Sequence, residues 1–177
     1  VKWKQFFLAF ACALAFLGVD GALKAYVHSC IAPAAASDPI YPYGGIAVFR
    51  EWQGIDFCLV HVINRGAAWG LFASIQDYLL YARVAIIGGL ITYLLFVKAS
   101  LYRKWSLLLV SVGALGNVLD TFIYGHVLDM FCFTFWGYAY PVFNLADSAI
   151  FVGISMLLFE TLIGKIRSKA PKRSKSS

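Results

Sequence analysis

Apolar residues run along this chain in long blocks, and four of the blocks are long enough to cross a bilayer as helices. A hydrocarbon core of about 30 Å takes roughly 20 helical residues. The blocks lie near residues 6–22, 78–97, 105–124 and 141–163, and each predicts a transmembrane helix. Between the first two is a long polar-side segment. There, 46–49 and 57–63 are rich in β-branched and aromatic residues, with Glu51-Trp52-Gln53-Gly54 between them. Ser37-Asp38-Pro39 and Tyr41-Pro42-Tyr43-Gly44-Gly45 supply turn chemistry. The expected fold class is a mainly α membrane protein, with four transmembrane helices and a small extracytoplasmic β-rich segment. The expected division is a membrane domain over 1–164, its β-rich insert at about 25–72, and a basic, disordered tail over 165–177. Trp69 and Phe72 are expected in an interfacial aromatic belt.

Composition agrees: 61% of residues are hydrophobic and the mean hydropathy is +0.75, which excludes an ordinary soluble domain. Charge then orients the helices. Lys2 and Lys4, then Lys98, Arg103 and Lys104, then the run from Lys165 to Lys175 are basic and free of Asp and Glu. The positive-inside bias puts both termini in the cytoplasm. The net charge of +6 is mainly this topology signal. The tail suits anionic lipid headgroups better than nucleic acid. The first block resembles a signal peptide, with Ala32, Ala34 and Ala36 as a cleavage-like region. However, its apolar run is longer than a signal core and Asp20 and Lys24 follow, so it is read as a retained helix. Cys12 reads as an apolar filler, whereas Cys30 and Cys58 fall on the outer side, where a disulfide can form. His28, His61 and His126 are scattered and no Cys/His spacing suits a metal, so no metal and no cofactor are expected.

Against this background, residues 116–147 hold three aspartates, Asp120, Asp129 and Asp147. An ionisable group at bilayer depth is costly and points to function. Counting along helices from the basic markers places Asp20, Asp120, Asp147 and Arg83 at one level. Each lies 15 to 18 positions from Lys4, Lys104, Lys165 or Lys98, respectively. At a rise of about 1.5 Å per residue that level is roughly 22–27 Å above the inner surface. Asp20 and Lys24, spaced i, i+4, read as a structural pair. Asp120, one turn after Asn117, also reads as structural, held by that amide and by cations, Arg83 among them. Asp129 and Asp147 each follow a helix break, Gly125 or Pro141, where a carboxylate can face a water-lined cavity. Carboxylates crowded in a low dielectric retain a proton, the starting condition for aspartic acid–base catalysis.

These residues also carry a family resemblance. The motifs are Asp20-x-x-x-Lys24, Asn64-Arg65-Gly66-Ala67-Ala68-Trp69-Gly70, Gly116-Asn117-Val118-Leu119-Asp120, Gly125-His126-Val127-Leu128-Asp129 and Phe143-Asn144-Leu145-Ala146-Asp147-Ser148. In this order on a four-span chain they resemble lipoprotein signal peptidase, or signal peptidase II. That family consists of aspartic proteases that remove signal peptides from prolipoproteins, cutting before a diacylglyceryl-modified cysteine. The resemblance implies that Asp129 and Asp147 are the catalytic dyad. It implies that Asp20, Asn64, Asn117, Asp120 and Asn144 are supporting or substrate-binding residues, with Lys24 and Gly66 belonging to the same motifs. The implied partners are lipid-modified prolipoproteins and membrane lipids. The implied location is the bacterial cytoplasmic (inner) membrane, with the site near the outer leaflet, and a monomer is expected. The sequence departs from the family pattern at Thr121, where the family carries Arg, and in the Leu128-Asp129-Met130 context. A proton-coupled transporter is the rival reading, but Glu160 is the single acidic residue near the inner surface. A purely structural subunit would not require carboxylates gathered at one depth.

Overall fold

The computed structural model describes residues 2–34, 40–65 and 76–169. Four helices carry a four-stranded antiparallel sheet at one end. Helix α1 spans Lys2–Cys30, α2 Gln76–Phe96, α3 Leu101–Tyr124 and α4 Leu145–Lys169. Three are long and apolar enough to cross a membrane, over Trp3–Cys30, Leu101–Tyr124 and Leu145–Ile166. The fourth, α2, contributes a shorter apolar run, Leu80–Phe96, so length and composition support three spans among the described residues where four were expected. Large apolar side chains point outward from the bundle, among them Phe7, Phe96 and Phe151. That is the pattern of a chain whose surrounding solvent is lipid.

Helix α1 runs well past residue 22, because its charged turn is neutralised inside the protein and Val27 in its last turn is buried. Val27 and Ile31 pack with Leu128 and Met130 into a small core beneath the sheet. The β-rich insert therefore begins after Cys30, later than expected. Helix α3 starts where the Ser100 hydroxyl accepts the Arg103 N–H. It ends where Gly125 adopts φ 77° and donates to the Thr121 carbonyl. Against α4 it approaches closely. A side chain at Gly113 would collide with the Ala146 carbonyl, and a Cβ at Gly153 would lie 2.7 Å from that of Ser106. Helix α4 continues to Lys169, into the stretch expected to be a disordered tail. Residues 170–177 lie outside the described residues.

The sheet runs β1 (Ile46–Trp52), β2 (Ile55–Asn64), β3 (Val127–Phe135) and β4 (Tyr138–Ala139), in that spatial order. Strands β1 and β2 are the expected pair. Strand β3 is additional to the two expected strands. Its ladder with β2, from Ile55 opposite Phe135 to Asn64 opposite Val127, joins sequence regions more than sixty residues apart. Both hairpins turn on residues with positive φ, Gln53-Gly54 and Trp136-Gly137. Residues 141–144, expected to begin the last helix, are extended instead. Phe143 exchanges backbone hydrogen bonds with Phe131, and Pro141 has no N–H to give a helix or ladder.

Candidate active site

The fold brings most of the candidate residues to the junction of sheet and bundle. Asp129 lies on β3 and is buried. Its Oδ2 accepts the Asn64 side-chain amide at 2.9 Å and its Oδ1 accepts that of Asn144 at 2.8 Å. Asp147 lies in the first turn of α4. Its Oδ1 accepts the Asn117 amide at 2.7 Å and its Oδ2 the Asn144 backbone N–H at 3.3 Å. Every carboxylate oxygen of Asp129 and Asp147 thus meets an amide N–H, and these donors are neutral. Asn144 is also the N-cap of α4, its Oδ1 accepting the Asp147 N–H at 2.8 Å. Asn144-x-x-Asp147 is therefore a reciprocal capping arrangement, and the helix start itself fixes Asp147. Asn144 further donates to Asn117 Oδ1 at 3.1 Å, joining α3 to the same network. The expectation that Asn117 holds Asp120 is corrected: Asn117 serves Asp147.

A second cluster lies behind the first. Lys24 is wholly buried and its Nζ is 2.7 Å from both Asp20 and Asp120. Asp20 Oδ1 accepts the Ala146 N–H at 3.1 Å, and Asp120 Oδ2 the Leu128 N–H at 3.3 Å. Ala146 precedes Asp147 and Leu128 precedes Asp129. The triad therefore grips the backbone beside Asp129 and Asp147, with an acceptor at the amide end of α4. Gly116 is required here, since a Cβ would lie 2.9 Å from Asp20 Oδ2. Lys24, not Arg83, is the cation that meets Asp120. Thr121, at the family's Arg position, donates back to the Asn117 carbonyl at 3.2 Å within its own helix.

Asp129 and Asp147 open onto a cavity of about 800 Å³, together with Asn64, Asn117 and Arg83. Its walls are apolar, with Phe133, Phe135, Tyr140 and Phe143 on the sheet side and Ile150, Phe151 and Ile154 on α4. Phe133 stacks on Phe57 at 4.4 Å and on Phe143 at 6.0 Å, which fixes that wall. Burial and, after it, the charge of Asp147 push the Asp129 carboxyl up to about 6, against the opposing pull of the Asn64 and Asn144 amides and Lys24. Such a carboxyl exchanges a proton near neutral pH.

Other expectations fare differently. Gly66, Trp69 and Phe72 lie outside the described residues. Cys30 and Cys58 are not bridged: all four cysteines are free, Cys30 is exposed and Cys58 is buried opposite Cys132. The histidines are not scattered. The rings of His28, His61 and His126 form a chain, with centroids 5.4 and 6.5 Å apart, although no group fit to hold a metal occurs among the described residues. The sequence reading missed this chain because α1, β2 and the α3–β3 turn meet only in three dimensions. It also missed the capping role of Asn144, for which the Asn-x-x-Asp spacing was an available signal.

The profile of a peptidase family described as signal peptidase (SPase) II matches residues 12–163. A lipoprotein signal peptidase of Chlamydia abortus is 35% identical over 156 residues, covering 86% of this chain and 87% of that protein. One from Chlamydia pneumoniae is 38% identical over 113 residues, covering 63% and 67%. A solved bacterial membrane enzyme superposes with a TM-score of 0.75 at 22% identity, covering 95% of this chain and 94% of that one, a likeness of fold. With its mainly α membrane fold, its small antiparallel sheet and its match across nearly the whole chain, the protein belongs to the signal peptidase II family of hydrolases.

Proposed function

We propose that this protein is a membrane aspartic endopeptidase that removes the signal peptide from prolipoproteins, cleaving before a diacylglyceryl-modified cysteine. The observation that carries the reading is the environment of Asp129 and Asp147. Two carboxylates from different elements face one apolar cavity, and their oxygens are held by neutral amides. Such a pair shares a proton, which supplies a base and an acid together. One carboxylate takes a proton from a water as its oxygen attacks the scissile carbonyl. The other, protonated, hydrogen-bonds the developing oxyanion. The tetrahedral intermediate then breaks its C–N bond as a carboxyl proton passes to the leaving amine. The aromatic wall takes apolar substrate surface, and the α4 side of the cavity leads toward residues that face lipid, such as Phe151.

The same reading makes residues 1–164 one protease domain, active as a monomer, in the bacterial cytoplasmic membrane. Both termini face the cytoplasm and the sheet and site lie at the outer leaflet, in keeping with the distribution of Lys and Arg. The test is incubation of the purified protein with a diacylglyceryl-modified prolipoprotein, read by mass spectrometry. Loss of the mass of the signal peptide is expected from the wild type. Asp129→Asn and Asp147→Asn should each lower turnover by at least about a thousandfold while remaining folded. Near-normal cleavage by Asp129→Asn, with a folded but inactive Asp120→Asn, would move the dyad to Asp120.

A further inference from the structure

Strands β2 and β3 set two cysteines opposite each other. Cys58 pairs with Cys132 in the antiparallel register. Directly opposed residues in such a ladder have Cα atoms about 4.5 or about 5.5 Å apart, and a disulfide spans either distance. The period of two along β3 decides which side they occupy. Val127, Asp129, Phe133 and Phe135 line the cavity, so Cys132 falls on the opposite side with Leu128 and Met130. Cys58 is wholly buried and Cys132 half-buried, which leaves one of the pair within reach of a reagent.

We propose that Cys58 and Cys132 become a disulfide when the protein matures, fastening β2 to β3 behind the dyad. The oxidant is a disulfide donor of an oxidising outer compartment. The Cys132 thiolate attacks the donor, forming a mixed disulfide and releasing one donor thiol. Cys58, losing its proton, then displaces the second donor thiol from Cys132. Two protein thiols and one donor disulfide yield one protein disulfide and two donor thiols. Burial pushes the Cys58 thiol up to about 12 and also raises that of Cys132, so the exchange is slow in the folded chain. Slow exchange suits a bond made once during maturation better than a rapid switch.

The bond has a purpose at the site. Asn64 on β2 holds Asp129 on β3, and the ladder between Leu59 and Val62 is irregular. A cross-link on the far side of that irregularity opposes slippage that would separate the pair.

The outward placement rests on the proposed topology, whereas the pairing of the thiols does not. Full-length protein from its native membrane would be denatured, alkylated without reductant and digested. A second sample would first be reduced, then treated with oxidised glutathione. In both, a linked peptide pair containing Cys58 and Cys132 is expected, two hydrogen masses below the sum of the reduced peptides. Cys58→Ala and Cys132→Ala should abolish it, while Cys30→Ala should not. Reduction should lower the thermal midpoint by several degrees in the wild type and leave Cys132→Ala unmoved. Complete alkylation of both cysteines in membrane-derived protein, or a link to Cys30, would overturn the proposal. Prolipoprotein cleavage is scored separately, so an oxidised chain without peptidase activity would sink the protease reading and leave the disulfide standing.

Discussion

Replacing Lys24 by Met removes the ammonium that holds two buried carboxylates, and its size of effect follows from the geometry. Nζ is 2.7 Å from an oxygen of each partner. At an effective dielectric of about 20, each contact is worth roughly 6 kcal/mol of gross attraction. The two oxygens are no more than twice that distance apart, so they repel by at least about 3 kcal/mol. Desolvating three charged groups offsets most of the remainder. Breaking such a pair by removing one partner costs about 3–5 kcal/mol, because uncompensated charge stays in the interior. In Lys24→Met two carboxylates would face each other at the level where they grip Ala146 and Leu128. The expected outcome is a thermal midpoint lowered by on the order of 10 °C in detergent, followed by circular dichroism. Cleavage should fall as well, since the backbone beside both dyad residues loses its anchor. Adding Asp120→Asn to Lys24→Met should recover part of the lost stability, a non-additivity diagnostic of charge left unpaired. A Lys24→Met protein melting within about 2 °C of wild type and cleaving normally would refute the reasoning, as that is below the shift for even about 1 kcal/mol.

The Asp129 carboxyl titrates at about 6 in the fold, above its ordinary value of 3.8. The native state therefore binds more protons than the unfolded state between these values. Stability should fall by about 3 kcal/mol as pH rises through that window, and Asp129→Asn should remove this dependence; equal pH slopes for the two proteins in denaturant titrations would contradict it. The same ionisation should give kcat/KM an alkaline limb that begins near pH 6 in prolipoprotein cleavage. At the α3–α4 contact, Gly113→Ala and Gly153→Ala should each cost about 1–3 kcal/mol, because carbonyls occupy the space of the new methyl groups. Gly164→Ala, where a Cβ meets nothing within 4 Å, is the control in the same melting assay.

Some of this protein was legible in the sequence because the physics that fixes it is local or one-dimensional. Apolar block length determines which segments can form helices in lipid. The distribution of basic residues along those blocks placed Asp20, Asp120 and Asp147 at a common depth without reference to any contact. The β-branched runs at 46–49 and 57–63 identified β1 and β2, and Gly125 marked the end of α3. Other features depend on distant segments meeting. β3 carries Asp129 and was invisible as a strand, because its partner lies on the far side of two helices in the chain and pairing energy is realised only across that gap. Lys24, and not Arg83, neutralises Asp120, a choice made by the packing of α1 on α3 rather than by depth. Asn117 turned from Asp120, its neighbour along the helix, to Asp147, because Asn144 completes a network there that the single helix cannot offer. Cys58 faces Cys132, and not Cys30, for the same reason: proximity across a ladder is set by register, which sequence separation does not encode.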